Sequence, residues 1–247
     1  MRTVRLFYPN LPDKQIGNSF AIRDDEQIRH LKVLRIERND YNFQVSDGQG
    51  LVFSCIYKTR NDSGYLFEIT ELARDDSENS LLTNSCLILP IIHPGKLEIA
   101  VEQAVQLNMY CKILLYFADH NRLSENRFSE NKIARLERIA QSAHKQSLGS
   151  FIPEISLAER LEAALEECKA TEKLNYIPDL AERKDTPTLI GEDSGFNLII
   201  GPEGGFSEKE RELMEKLPTK LYLNLPGSVL TSETASTVFS GIIKSSV

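Results

Sequence analysis

The spacing of apolar residues along this chain changes near residue 85. Before that point they form short runs rich in β-branched and aromatic side chains, separated by turn residues, which predict strands. These predicted strands cover residues 4–8, 19–22, 42–45, 51–58 and 65–72. One helix is predicted at 26–33, because an acidic first turn precedes its apolar positions. Several short strands at regular spacing favour a small β-barrel.

From residue 86 the pattern alternates between strand and helix. Apolar runs predict buried strands at 86–92, 112–117, 174–177, 197–200 and 221–225. Apolar residues at helical spacing predict helices at 97–107, 130–147 and 158–173. The helix at 130–147 carries basic residues on its outer side, a pattern that is typical of a solvated face. Strands that alternate with helices predict an α/β domain with a parallel sheet.

A polar, charged segment separates the two patterns and predicts a linker at residues 73–84. We therefore expect an N-terminal β-barrel domain at 1–72 and an α/β domain at 85–247. At 247 residues, the chain is long enough to give each domain its own core.

The stretch 197–210 combines a buried strand, a glycine-rich turn and the start of a helix. Ser207 lies three residues before Glu210, which is the spacing of a helix capping box. Bare backbone N–H groups at the positive end of a helix suit an anionic or polar ligand. An isolated pattern of this kind more often forms a tight turn with no ligand.

A second stretch, 221–235, repeats this arrangement, and the pair favours a ligand-binding site over a tight turn with no ligand. Its apolar strand ends at Pro226 and Gly227, a short loop follows, and Ser232 begins the last helix. Two such turns place two loops side by side at the carboxyl ends of parallel strands. Ligands bind at that edge in open α/β sheets.

The net charge of −7 argues against a nucleic-acid partner, but the charge is unevenly distributed. Residues 1–60 carry ten basic and seven acidic residues, whereas the whole chain carries 29 and 36. The first quarter is therefore basic, which is compatible with a phosphate-binding face.

The four cysteines and four histidines show no ligand spacing, so we expect neither a metal site nor a disulfide framework. Cys86 and Cys111 lie in apolar runs and are expected to be buried thiols. No apolar run approaches the roughly 20 residues that cross a bilayer. No signal-peptide core follows the first residues, and a cytoplasmic protein is expected.

The two C-terminal stretches resemble the signature of the SPOUT methyltransferases, whose chain forms a trefoil knot around S-adenosylmethionine. More narrowly, Gly-Pro-Glu-Gly-Gly-Phe-Ser followed by Ser-Glu-Thr-Ala resembles the bacterial ribosomal RNA uridine N3-methyltransferase family. Residues 30–35, Asp40 and 47–48 resemble the PUA-like RNA-binding barrel of that family. The resemblance implies a PUA-like barrel, a knotted parallel α/β domain, a homodimer and a uridine of small-subunit (16S) ribosomal RNA as substrate.

The resemblance also implies which residues contact the cofactor and the RNA. Its cofactor contacts are Leu89, Ile200, Gly201, Glu203, Gly204, Gly205, Leu225, Pro226, Gly227, Val229, Leu230, Ser232, Thr234 and Ala235. The expected RNA contacts are Arg2, Arg5, His30, Lys32 and Arg35, of which the last three lie in the stretch that resembles the barrel and the first two in the basic N-terminal segment.

Glu203 and Glu233 are the carboxylates nearest the expected cofactor site. Holding the loop is the favoured role for Glu203. Stabilisation of a helix N-terminus explains Glu233 at least as well as chemistry does. The general base therefore stays unassigned.

The chain departs from the family pattern at its basic residues. Ser228 and Thr231 stand where the family has arginines, Pro226 replaces a glycine, and Gln103 replaces a lysine. Backbone groups could still hold the cofactor, but serine and threonine do not make the bidentate contacts of arginine with RNA.

Three functions therefore stay open. The first is an S-adenosylmethionine-dependent ribosomal RNA methyltransferase, and the second is a non-catalytic RNA-binding or ribosome-assembly protein with the same fold. The third is a metabolic α/β enzyme with a phosphate ligand, which only the glycine-rich turn favours.

Overall fold

The strands of the described part of the chain belong to two separate sheets. A computed structural model describes residues 2–9, 11, 15–62, 64–120, 128–179, 195–225 and 228–246. The chain divides into two compact units. The first unit comprises residues 1–78 together with 144–151, and the second comprises 79–143 together with 152–247.

The first unit is built on a sheet to which five strands of the described residues contribute. They are β1 (Thr3–Phe7), β2 (Ser19–Ile22), β3 (Asn42–Ser46), β4 (Leu51–Asn61) and β5 (Gly64–Asp75). Their order is β1-β3-β4-β5-β2, with β1 and β3 parallel and the other neighbours antiparallel. Helix α1 (Asp25–Leu34) is capped at its N-terminus by Asp24, whose carboxylate accepts a hydrogen bond from the backbone N–H of Gln27. The predicted strands and helix of this half are thus present, with small shifts at their ends.

Aromatic side chains fill the core of the first unit. The ring of Phe67 is fully buried and lies 5.7 Å from that of Phe20 and 5.2 Å from that of Phe43, measured between ring centroids. Side chains alternate between the two faces of a strand, so these rings meet on one face of the sheet.

The second unit contains a parallel sheet of six strands in the described part of the chain. They are β6 (Cys86–Pro90), β7 (Lys112–Tyr116), β8 (Glu154–Ala158), β9 (Leu174–Pro178), β10 (Phe196–Ile199) and β11 (Lys220–Leu223). Their order is β11-β9-β10-β6-β7-β8. Every residue of β6 and β10 is buried, as is typical of central strands in a parallel sheet.

Helices alternate with these strands, as the sequence predicts. They are α2 (Ser80–Asn84), α3 (Pro94–Leu107), α4 (Glu130–Ser147), α5 (Leu161–Glu167), α6 (Glu208–Glu215) and α7 (Ser232–Lys244). Helices α3 and α7 pack together, and the hydroxyl of Thr237 donates to Oε1 of Gln103. Within the described ranges, no helix combines the length and apolar character that a membrane crossing requires.

The structure differs from the predicted elements in two segments. Strand β5 continues through Asp75 and α2 occupies Ser80–Asn84, so regular structure fills much of the predicted linker. The predicted helix at 158–173 is instead the end of β8, then α5 and a short 3₁₀ helix, Ala170–Glu172. The pattern of apolar residues does not indicate β8, because β8 is an edge strand with few buried side chains.

The cysteine predictions are confirmed for Cys86 and only partly for Cys111. Cys86 is a buried free thiol whose sulfur lies 2.7 Å from that of Cys168, which is also reduced. Cys111 is half-buried and precedes β7, and its thiol donates to the carbonyl of Ser85 at 3.2 Å.

The segment 144–151, which includes the last turn of α4, folds with the first unit. The Arg5 guanidinium donates to the carbonyl oxygens of Gly149 at 2.7 Å and Leu148 at 3.1 Å. The buried ring of His144 donates from Nδ1 to the carbonyl of Phe151 at 3.2 Å. No local signal in the sequence indicated this assignment, because the contacts of Arg5 join residues that are far apart along the chain.

Burial and the nearby Arg5 charge lower the pKa of His144 to about 4. Its Nε2 atom is buried and has no hydrogen-bond partner among the described residues. A proton on that nitrogen would be a buried charge without a partner, so the neutral ring is strongly favoured.

We expect the free energy of unfolding to fall as the pH is lowered from 7 to 5. The folded-state pKa of about 4 lies below the ordinary value of 6.5, so the unfolded chain takes up the proton first and acid favours unfolding. Linkage gives a loss of about 2 kcal/mol over this interval for one such group. Urea denaturation at the two pH values measures it.

The matched variant is His144→Asn, which keeps a donor for the Phe151 carbonyl but does not titrate. Its loss of stability between pH 7 and 5 should be smaller than that of the native chain by about 2 kcal/mol. An equal loss in both proteins would contradict the assignment to His144.

Candidate functional site

The carboxyl ends of β10 and β6 are neighbours in the parallel sheet, and the chain leaves them in opposite directions. From β6 it continues to β7 on one side, and from β10 it continues to β11 on the other. The N–H of Ile200 donates to the carbonyl of Ile88 at 2.9 Å, which extends the pairing to the very end of β10. Such a reversal of strand order opens a crevice where ligands bind in α/β sheets.

The glycine-rich turn predicted from the sequence lies at this reversal and requires its glycines. Gly205 has a φ of +73°, in the left-handed region, and its N–H donates to the carbonyl of Pro202 at 2.8 Å. A Cβ atom on Gly201 would lie 2.9 Å from the buried ring of Phe206. A side chain at Gly201 would thus collide with an aromatic ring, and one at Gly205 would be strained.

The predicted capping box after this turn is confirmed. Ser207 Oγ accepts from the N–H of Glu210 at 3.1 Å, and Glu210 Oε2 accepts from the N–H of Ser207 at 2.8 Å. The other oxygen of Glu210 accepts from the N–H of Asp119 at 3.1 Å, so this buried carboxylate also holds the segment after β7. The turn is therefore fixed on the side of α6.

Helices α7 and α3 hold the other side of the turn. Ser232 Oγ, in the first turn of α7, donates to the carbonyl of Gly201 at 2.7 Å. Lys96, in the first turn of α3, forms an ion pair with Glu203 and lies 3.5 Å from a carboxylate oxygen of Glu233. The bond to Glu203 is the main cause that raises the pKa of Lys96.

One carboxylate oxygen of Glu233 makes no hydrogen bond within the described residues. This atom, Oε2, is buried. A buried carboxylate oxygen of this kind favours a cationic or hydrogen-bond-donating ligand group nearby.

A cavity of about 70 Å³ lies at the carboxyl ends of β9 and β11, in the same edge of the sheet. Its apolar wall consists of Leu223, Leu225, Leu230, Ala235 and Phe239. This wall therefore offers an apolar contact surface on the same edge as the polar glycine-rich turn.

Most of the predicted cofactor residues lie at the glycine-rich turn or in the wall of this cavity. Leu225, Leu230 and Ala235 line the cavity, and the rest form the turn or contact it directly. This second group comprises Ile200, Gly201, Glu203, Gly204, Gly205 and Ser232.

Other predicted cofactor residues lie elsewhere or outside the described residues. Leu89 is fully buried within β6 and lines neither the turn nor the cavity. Val229 is 81% exposed, and Thr234 is exposed with its hydroxyl 3.0 Å from that of Thr231. Pro226 and Gly227 fall outside the described residues.

Sequence reasoning missed Lys96 and His120 as neighbours of the turn. His120 Nδ1 lies 3.1 Å from the carbonyl oxygen of Gly205, and Lys96 forms the ion pairs described above. Their positions in the sequence could have indicated them. Lys96 follows the end of β6 closely and His120 follows the end of β7, so both lie at the edge of the sheet where ligands bind.

Arg5 does not fit the predicted RNA contact. It is only 6% exposed, its guanidinium donates inward, and burial lowers its pKa to about 10. Sequence reasoning counted it as basic surface because its partners, the carbonyls of 148 and 149, are distant along the chain.

The remaining predicted RNA residues are exposed on the first unit. They are Arg2, His30, Lys32 and Arg35. Partial burial lowers the pKa of His30 most, followed by the charges of Lys145 and Arg2, whereas Glu26 raises it. We call Arg2, His30 and Lys145 the His30 cluster. Lys145 also forms an ion pair with Glu26 at 3.0 Å. The sequence pattern indicated only a solvated face for the basic residues of this helix.

Three comparisons with known proteins bear on this site. The family model of RNA methyltransferase domains matches residues 78–244. Ribosomal RNA small subunit methyltransferase E 1 of Borreliella burgdorferi is 25% identical over 231 residues, 90% of this chain and 91% of that protein. Ribosomal RNA small subunit methyltransferase E of Mesomycoplasma hyopneumoniae is 25% identical over 230 residues, 88% and 91% of the two chains.

A solved structure shows the same fold. It is a ribosomal RNA small subunit methyltransferase E from Neisseria gonorrhoeae bound to S-adenosyl methionine. The TM-score is 0.79 and the sequence identity 21%, over 99% of this chain and 98% of that one. The family match covers most of the second unit, including the glycine-rich turn and the first turn of α7, and the chain belongs to the RNA methyltransferase domain family.

Proposed function

We propose that this protein transfers a methyl group from S-adenosylmethionine to N3 of a uridine in small-subunit ribosomal RNA. The observation that carries the proposal is the hydrogen bond from Ser232 to the carbonyl of Gly201, which joins the two loops that the sequence singled out. Membership of the RNA methyltransferase family and relatives named for small-subunit RNA methylation support the same activity.

The residues at the crevice fit S-adenosylmethionine. The apolar side chains at the ends of β9 and β11 offer a contact surface for one face of its adenine ring, and the bare backbone of the glycine-rich turn can approach its polar groups. The unpartnered oxygen of Glu233 suits one of its cationic groups. When bound, this cofactor supplies an activated methyl group.

Methyl transfer to uracil N3 requires alignment more than covalent help from the protein. N3 would gain the methyl group and lose its proton, so the site must hold the uracil in line with the bound cofactor and must contain an acceptor for that proton. Lys96 holds Glu203 and contacts Glu233, which favours a role for both carboxylates in positioning the turn. The acceptor of the N3 proton stays unassigned.

The finer architecture belongs to the same proposal. We infer a PUA-like barrel for the first unit and a trefoil knot in the second. The insertion of β10 between β9 and β6, together with the contact of α7 with the glycine-rich turn, supports the knot. The cytoplasmic location stays a prediction.

A non-catalytic RNA-binding or assembly protein is the second candidate function. Ser228 and Thr231, both exposed, stand where the resemblance has arginines, and this favours loss of the usual RNA contacts. Calorimetric titration with S-adenosylmethionine and mapping of methylated uridines in RNA from a deletion strain separate the two functions. Methylation unchanged at every site would rule out the first, and retained RNA binding without transfer would favour the second.

We expect Gly205→Val to abolish S-adenosylmethionine binding, measured by calorimetry. The positive φ of Gly205 costs a residue with a side chain roughly 1 kcal/mol or more, and a branched residue tolerates it poorly. Gly201→Ala should also weaken binding, because the new methyl group meets the ring of Phe206.

The matched control is Gly241→Ala in α7, where a Cβ atom meets nothing within 4 Å. This change should leave cofactor binding intact and raise stability by roughly 0.5–1 kcal/mol, because alanine is the better helix former. Normal binding by Gly205→Val would show that the site has been misplaced.

The His30 cluster generates a prediction about RNA. We expect Lys145→Met to lower the affinity for small-subunit RNA and to reduce the slope of log K against log salt by about 1, as for one lost phosphate contact. Cofactor affinity should not change. Lys58→Met, which removes an exposed lysine paired with Glu68 in the same unit, is the control. Equal salt slopes in all three proteins would exclude the cluster as a phosphate contact.

The proposed homodimer uses the packed helices α3 and α7. Ile99 on α3 is 46% exposed and Ile242 on α7 is 37% exposed, and water contact with such side chains is unfavourable. We expect a dimeric mass in light scattering at micromolar concentration and a monomer for Ile242→Glu. Leu157→Glu, at an equally exposed apolar residue of β8, should stay dimeric. A monomeric native protein would contradict the proposal.

A further inference from the structure

A second and larger cavity, of about 270 Å³, lies between α3 and α4 in the second unit. Its wall is apolar and includes Ile91, Ile92, Leu97, Leu136 and Phe128. Ile91, Ile92, Leu97 and Leu136 are buried in the core, and Phe128 is half-buried.

The position of this cavity relates it to the glycine-rich turn. Ile91 and Ile92 directly follow β6, and β6 pairs with β10, which leads into that turn. The first turn of α3, which contributes Leu97 to the wall, also carries the Lys96 that pairs with Glu203. The three features therefore follow one another along the carboxyl edge: the small cavity at β11 and β9, the turn at β10, and the large cavity at β6.

Basic side chains at the rim distinguish the larger cavity from the smaller one. Lys132 and Arg135 of α4 both line it, and the ammonium of Lys132 lies 5.6 Å from the centre of the Phe128 ring. Arg135 forms two hydrogen bonds with Glu98, of 2.6 and 2.8 Å, which join α4 to α3 across the rim. Glu98 balances the charge of Arg135, so the net charge of these three side chains is positive through Lys132, which favours an anionic ligand group over the cationic cofactor.

The size and wall of the cavity suit one nucleobase. Its volume is below the roughly 300–1,000 Å³ of pockets that hold drug-sized ligands, so it is too small for a whole cofactor. Phe128 packs against Phe117 in a T-shaped arrangement, at 6.3 Å between ring centroids and an interplanar angle of 89°. An aromatic ring fixed in this way can stack on a base.

We propose that this cavity receives the base of the RNA nucleotide that is to be methylated, turned out of its stack, with Phe128 against the base and Lys132 near its phosphate. The inference rests on the proposed function. An enzyme that modifies a base edge must expose that edge by extruding the nucleotide. A base in this cavity lies one strand away from the turn assigned to the cofactor.

The test compares Phe128→Ala and Phe128→Tyr in methyl transfer to unmethylated small ribosomal subunits, with S-adenosylmethionine affinity measured separately. Phe128→Ala should lower kcat/KM at least about fivefold, because a stacked base contributes that much or more. Phe128→Tyr keeps the ring and should retain most of the activity. Cofactor affinity should be unchanged in both variants, which also shows that the domain is folded.

A second pair of variants tests the phosphate contact. Lys132→Met should raise KM for the subunit and reduce its salt dependence, whereas Lys216→Met, at an exposed lysine after α6, should change neither. Saturation-transfer NMR with uridine 5′-monophosphate provides a readout that needs no turnover. The signal from the uracil protons should be present in the native protein and lost in Phe128→Ala.

The outcomes separate this inference from the proposed function. Native cofactor binding and transfer, together with unchanged kcat/KM and an unchanged uridine 5′-monophosphate signal in Phe128→Ala, would overturn the cavity assignment alone. A native protein that binds no S-adenosylmethionine would overturn the proposed function and this inference with it.

Discussion

The candidate site depends on the place of β10 between β9 and β6. Leu198 pairs with Leu87 on one side and with Tyr176 on the other, and every residue of the strand is buried. A slip of one residue would turn each side chain to the opposite face. Because the glycine-rich turn begins two residues after β10 ends, the same register sets the meeting of Gly201 with Phe206 and with Ser232.

Local signals predicted much of this architecture. The capping box from Ser207 to Glu210 depends only on residues that are adjacent on one helical turn, and the bounds of α4 are the same in the sequence pattern and in the structure. The parallel sheet follows from the alternation of strands and helices. The strand order does not, because the insertion of β10 between two earlier strands has no signature in apolar spacing.

Long-range contacts account for what the sequence could not predict. Arg5 looks like basic surface in a basic segment, and only its carbonyl partners 143 and 144 residues away make it part of the interior. The glycine pattern located one face of the candidate site, whereas Lys96 and the wall between α3 and α4 come from residues with no shared motif. Sequence motifs identify the chain segments that form a site, whereas isolated residues that complete it are identified only from the tertiary structure.

The folding of residues 144–151 with the first unit has a consequence for how such chains evolve. The chain enters that unit twice, so no single recombination point can separate an intact N-terminal module from the rest. A gene fragment that ended at residue 78 would encode Arg5 without the carbonyls of Leu148 and Gly149, which leaves Gln44 Oε1 as the one acceptor that the structure gives this guanidinium. Loss of two of its three acceptors is destabilising for a buried charge. The two units are therefore expected to be inherited together, as one piece, instead of being exchanged as independent modules.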